Sequence, residues 1–149
     1  MQIGFDLDGV ISDLDPTLFR LIRHTDFPSK DAEERFKQGY FGTLHLRPNW
    51  NPEELIAEGD EYHIITARHS PTDDEVTLKW CRKHCPGAKT VNIVGRKGYS
   101  WRESAEAKAE KIKELGIAVY FEDDPRIVEF LRGSCSEARI IHVGGRLTR

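Results

Sequence analysis

No stretch of this 149-residue sequence is apolar for long enough to span a bilayer as a helix. Cysteine is scarce: there are 3, an odd number, so a complete disulfide framework is not expected. Neither sign of charge dominates. With 22 Lys plus Arg against 25 Asp plus Glu the net charge is −3, whereas dedicated nucleic-acid and membrane binders need a large basic surface. Repeats, linkers and low-complexity tracts are also missing, so a single domain over 1–149 is expected, with roughly two thirds of the unfolded surface buried on folding. A hydrophobic fraction of 38% beside a charged fraction of 32% argues against disorder. The opening Met1-Gln2-Ile3-Gly4-Phe5 has neither a basic leader nor an apolar signal core and already reads as a strand, so a cytoplasmic location is expected. Cys81 and Cys85 flank His84 like half a zinc site, but no second pair of ligands completes it. Two thiols along one side of a helix is the better reading.

Strand-like and helical runs alternate along the chain. Strands are expected at 2–5, 61–65, 90–94, 117–121 and 138–143. A helical stretch starts near Pro16, with Leu18, Leu21 and Ile22 at helical spacing. Ser29 and Asn51 are N-cap candidates, the latter followed by Pro52, with Gly59 closing that helix. Further helices are expected over 72–85, 101–115 and 125–131, with Gly116 stopping the second. The segment 39–50, rich in aromatics, Gly and Pro, has no clear period and reads as irregular structure near the site. Such alternation implies right-handed crossovers and an α/β fold. The expected architecture is a three-layer Rossmann-like parallel sheet of about five strands, with helices on both faces. Ligands then sit beyond the carboxyl ends of the strands.

The residues at those ends carry chemistry. The first strand runs into Asp6-Leu7-Asp8-Gly9-Val10. Two carboxylates just beyond an apolar strand are costly to bury without a partner, and a hard divalent cation suits them. Gly9 permits the sharp turn that directs Asp8 back towards the same pocket. The second strand ends in Ile65-Thr66-Ala67-Arg68, where a hydroxyl and the following amides suit a phosphoryl oxygen or a local turn. The fourth ends in Phe121-Glu122-Asp123-Asp124-Pro125; one acid there is explained as a helix cap, three are not. The preceding helix offers Lys108, Lys111 and Lys113, and spacing alone does not choose among them. Each signal is modest, but their joint occurrence at three strand ends is decisive.

Together these stretches resemble the four motifs of the haloacid dehalogenase superfamily, nearest to its small 5′-nucleotidase-like and deoxyribonucleotidase-like members. The resemblance implies a magnesium-dependent phosphomonoester hydrolase acting through an aspartyl-phosphate. By it, Asp6 is the nucleophile, Asp8 the general acid and base, and Thr66, with Ala67 and Arg68, the phosphoryl binder. Lys108 neutralises charge, with Lys111 as the fallback. Mg2+ is implied on the Asp6 carboxylate, the Asp8 carbonyl and Asp123, with Asp124 as the second choice. The substrate implied is a small phosphorylated molecule, a nucleotide first, with a sugar phosphate or polynucleotide end as alternatives. The resemblance also implies a small helical cap over about 14–51, inserted after the first strand into a core of 1–13 and 52–149.

Basic residues of the loop 95–100, with Arg47 and Arg68, are expected mainly at the solvated surface, and Phe41, His45 and Trp50 mainly in packing. A receiver domain also combines acids, Thr and Lys, but its acceptor Asp should end the third strand, and here that strand ends in Val94-Gly95. A non-catalytic metal-binding relative is the other rival.

Overall fold

The computed structural model describes residues 1–14, 24–96 and 100–144. The helix expected from Pro16 to Ile22, and Lys97 to Tyr99 of the basic loop, lie outside the described residues. Five strands, β1 (Gln2–Phe5), β2 (Glu61–Ala67), β3 (Thr90–Val94), β4 (Val119–Glu122) and β5 (Arg139–His142), form one parallel sheet in the order β3-β2-β1-β4-β5. The strand that ends at Asp6 is therefore central, with β2 and β4 on either side. That order brings Asp6, Thr66 and Glu122 to one edge, although 60 or so residues separate each from the next.

Central strands of a parallel sheet are covered on both faces, so consecutive residues must both be apolar. Ile64 and Ile65 show this: each is fully buried, one in each of two cores. The first core holds Phe5, Leu7, Ile11 and Tyr62 against α1 (Lys30–Thr43) and α3 (Asp74–His84). The second holds Tyr120 and Ile140 against α4 (Trp101–Leu115) and α5 (Pro125–Ser134). A short α2 (Pro52–Leu55) leads into β2.

The helix starts follow their caps. Ser29, Asn51, Ser100 and Asp124 each accept a backbone N–H through a side-chain oxygen, an interaction worth about 1 kcal/mol at each end. Gly116 closes α4 in the left-handed conformation, φ +64°.

Several boundaries differ from expectation: β2 runs on to Ala67, β4 opens at Val119 and α5 continues to Ser134. The helix capped by Ser29 continues through Gly39 to Thr43, so the irregular segment begins only at Leu44. Burial of Phe41 and stacking of Phe36 on Tyr40 outweigh the low helix propensity of Gly39 and Gly42. The helix capped by Asn51 stops at Leu55, before Gly59. The run 72–85 opens as a 3₁₀ turn, Pro71–Asp73, before α3. Cys81, Cys85 and Cys135 are buried free thiols. Burial pushes the Cys81 and Cys85 thiols up to about 12, and the His84 ring packs at a tilt against Trp80.

Candidate active site

Asp6 lies just past β1, its backbone N–H donating to the Phe121 carbonyl of β4 at 2.9 Å. This ladder bond fixes the carboxylate between the two strands that supply the other polar groups. Lys108 comes from the third turn of α4. Its Nζ donates to Asp6 Oδ1 at 3.1 Å and to Glu122 Oε2 at 2.7 Å. Lys111, the fallback, points instead to surface Glu114. The helix face, not the count of lysines, makes the choice.

Carboxylate oxygens of Asp6, Glu122 and Asp123 lie within 4.8 Å of one another. One ammonium does not balance three carboxylates, two buried and one half-buried. Burial, and then the charge of Glu122, raises the Asp6 pKa well above its ordinary value. The same two causes bring Asp123 up to about 7. Burial opposes ionisation of Glu122 too, but Lys108 overcomes it and holds Glu122 low. For Lys108, burial opposes the charge, yet Asp6 and Glu122 outweigh it and its pKa rises. An oxygen-only donor set with surplus negative charge fits a hard divalent cation such as magnesium.

Asp124 has another task. It caps α5 through Arg126 N–H and pairs with the Arg126 guanidinium at 2.9 Å, leaving Asp123 as the acid that faces the cluster. Gly9, at φ +82°, explains how Asp123 gets so close: a Cβ built there would lie 2.1 Å from Asp123 Oδ2. Only glycine allows both the backbone angle and the approach.

The Asp8 carboxylate turns away from that cluster. Arg68 grips it with two bonds, Nη2–H to Oδ1 at 2.6 Å and Nε–H to Oδ2 at 3.1 Å. The guanidinium also donates to Thr77 Oγ1 and lies over the Phe41 ring, 3.8 Å from its centroid. Arg68 is therefore buried rather than solvated, and Phe41 packs against it from α1. Arg47 is likewise engaged, donating to the Gly9 carbonyl at 2.6 Å and to the Gly144 carbonyl at 2.9 Å. Arg96 pairs with Asp74, and Trp50 packs edge-on against Phe121.

Thr66, at the end of β2, is fully buried, and among the described residues its hydroxyl has no hydrogen-bond partner. Buried hydroxyls are rarely left so, because the unmet bond costs roughly 1–3 kcal/mol. An arriving oxyanion would satisfy it. Ala67 follows on the same strand, and with Asp8, Arg68 and Phe41 it lines a cavity of about 1000 Å³ between α1 and residues 67–73.

Two of these contacts escaped sequence reasoning: Glu122 as the partner of Lys108, and Arg68 as the clamp on Asp8. The position of Glu122 at the inward end of a central strand is a signal for the first. Nothing in the sequence signals the second, since it depends on how two loops meet.

No family model matches this chain and no curated protein is similar to it. Solved structures are. A haloacid dehalogenase-like hydrolase of Streptococcus pneumoniae superimposes with a TM-score of 0.64 at 13% identity, over 97% of this chain and 87% of its own. A candidate β-phosphoglucomutase of Thermotoga maritima gives 0.67 at 16% identity, over 99% and 87%. A chain of the Pnkp1/Rnl/Hen1 RNA repair complex gives 0.65 at 14% identity, over 98% of this chain; the present chain spans 43% of its length. With five parallel strands in this order and helices on both faces, the chain has the fold of the haloacid dehalogenase-like hydrolases.

Proposed function

We propose that this protein hydrolyses phosphomonoesters through a phosphorylated Asp6. The observation that carries the reading is the contact of the Lys108 ammonium with a buried Asp6 carboxylate at the carboxyl edge of the sheet, within a cluster of three acids. In the first step an Asp6 oxygen attacks phosphorus, the ester P–O bond breaks, and Asp8 gives its proton to the leaving oxygen. In the second, water attacks the same phosphorus, its proton passes to Asp8, and the bond between phosphorus and Asp6 breaks. The Thr66 hydroxyl donates to a phosphoryl oxygen throughout. Lys108 offsets the negative charge shared by Asp6 and the phosphoryl group.

Phosphoryl transfer depends chiefly on positioning and charge neutralisation, and this arrangement supplies both. Magnesium, held by Asp6, Asp123 and the Asp8 carbonyl, would supply the remaining positive charge. Arg68 is a positioning residue: it holds Asp8 where the leaving group emerges towards the cavity. With Phe27, Phe41, Ser70 and Thr72 in its lining, that cavity has the size and the mix of rings and hydroxyls for a nucleoside, so a nucleotide is the proposed substrate. Helix α1, which forms one wall, acts as the small cap, within an insertion spanning about 14–51.

The test is hydrolysis of p-nitrophenyl phosphate with magnesium by the wild type and by Asp6→Asn. Loss of turnover in the variant is expected. Equal rates would remove Asp6 as the nucleophile, and activity that survives complete chelation would contradict the metal.

A further inference from the structure

A second surface at the same edge of the sheet takes no part in that chemistry. Trp101, Arg102, Arg126, Glu129 and Phe130 line a groove of about 300 Å³ where α4 and α5 begin. Within it the Arg102 guanidinium lies over two rings, 5.5 Å from the Trp101 centroid and 5.9 Å from that of Phe130. Arg126 approaches Trp101 at 5.6 Å while its guanidinium pairs with Asp124. Arg102 and Arg126 are exposed and both rings partly so. Among the described residues no carboxylate is paired with Arg102, which leaves its N–H donors open to a ligand.

Three features narrow what fits. The groove offers flat apolar faces, one planar cation, Arg102, whose fork can bond phosphate while that of Arg126 is held by Asp124, and a lining carboxylate, Glu129. Its place matters as much. Trp101 and Lys108 are seven residues apart on α4 and so share a face of the helix. The rise between them is about 10 Å, near the length of three stacked nucleotide steps. Because α4 runs away from the carboxyl edge, Trp101 is at the rim and Lys108 is beneath it at Asp6. Alternating rings and guanidiniums that approach a phosphate-handling centre suit stacked bases joined by phosphates.

We infer that the α4–α5 groove binds single-stranded nucleic acid, so that the phosphoester reaching Asp6 is borne by a polynucleotide end. This rests on the phosphatase reading and revises its substrate: the nucleotide at Asp6 is the terminal one of a strand, its nucleoside in the α1 cavity and its neighbours on the groove. The net charge of −3 does not oppose it, since the contact needs the one open guanidinium of Arg102 and two rings rather than a basic face.

The experiment compares the wild type with Arg102→Ala and Trp101→Ala, adding Trp101→Phe as the conservative variant. Three readouts are taken: p-nitrophenyl phosphate turnover, kcat/KM on a short single-stranded oligonucleotide bearing a terminal phosphate, and binding of the same oligonucleotide without it. The proposal expects p-nitrophenyl phosphate turnover to be unchanged in all variants. Oligonucleotide kcat/KM and binding should fall about 5- to 140-fold in the alanine variants, the range for one lost stacking contact, and recover in Trp101→Phe. The slope of log affinity against log salt should flatten by about 0.7 in Arg102→Ala.

Oligonucleotide binding that depends on Arg102, in a protein without phosphatase activity, would sink the hydrolase reading and leave the groove standing. Full p-nitrophenyl phosphate turnover with oligonucleotide binding indifferent to Arg102 and Trp101 would overturn the groove and spare the hydrolase. A groove that captures protein partners while ignoring oligonucleotides would also overturn it.

Discussion

Replacing Lys108 with methionine keeps the length of the side chain and removes the ammonium that touches both Asp6 and Glu122. The three groups are 3%, 4% and 1% exposed, so water does little to replace the lost partner. Breaking a buried ion pair from one side costs about 3–5 kcal/mol. Asp6, already raised by burial and by Glu122, can take up a proton and relieve part of that strain, so the lower end is expected, about 3 kcal/mol. For a chain of this size that corresponds to a Tm lower by about 6–12 °C. Guanidinium unfolding in chelator, at constant m, measures it directly. The double variant Lys108→Met/Glu122→Gln should recover part of the loss. One of the two stranded charges is then gone, while the amide oxygen of the introduced glutamine still accepts from the backbone N–H groups of Asp123 and Asp124. Turnover of p-nitrophenyl phosphate should fall about 10²–10³-fold in both, as for the loss of one preorganised charge-stabilising donor. The reasoning fails if Lys108→Met unfolds within about 0.5 kcal/mol of the wild type, the scatter of an ordinary surface change. It fails too if the two substitutions destabilise additively.

Gly9→Ala combines a left-handed backbone angle with a clash against Asp123, so a stability loss of about 1–2 kcal/mol and a large loss of turnover are expected; an unchanged urea midpoint with full activity would show that the loop has room to spare. Arg68→Lys keeps the charge but loses the two-pronged grip on Asp8. Its kcat on an alkyl phosphate, whose leaving oxygen needs a proton, should fall at least about tenfold more than on p-nitrophenyl phosphate, and equal losses would argue against Asp8 as the acid. His63 is buried, accepting from Thr90 Oγ1 through Nδ1 and donating to Gln2 Oε1 through Nε2, and burial holds its pKa below 6.5. The unfolded chain therefore binds a proton near pH 6.5 before the folded chain does, so stability is full above that pH and declines below it. Thermal melts between pH 7.5 and 5.5 should show this decline and should lose part of it in His63→Gln; parallel curves for the two proteins would count against it.

Much of this was legible in the sequence, for identifiable reasons. Each strand of the sheet is a short apolar run bounded by turn residues, and fold class follows from alternation alone. The helix starts after Ser29 and Asn51 were readable because capping is local chemistry. The end of α1 was not, because Gly39 and Gly42 signal a break that only the burial of Phe41 overrides. At the site, Asp6 and Thr66 stood out as polar groups ending apolar strands, and the structure brings them to one edge. Lys108 could not be told from Lys111 on one helix until the face packed against β2 and β3 was known. The grip of Arg68 on Asp8 depends on two loops meeting across 60 residues of sequence, beyond the reach of any periodicity.

The unbonded hydroxyl of Thr66 sets durability against readiness. A valine there would fill the same space with nothing left wanting, and the sheet would be the sturdier for it. Among the described residues nothing bonds the threonine hydroxyl, a small cost at the rim of β2 that a phosphoryl oxygen would relieve. On the proposed chemistry, searching for a more heat-resistant form of this protein would select that valine early and discard catalysis without any visible change in shape.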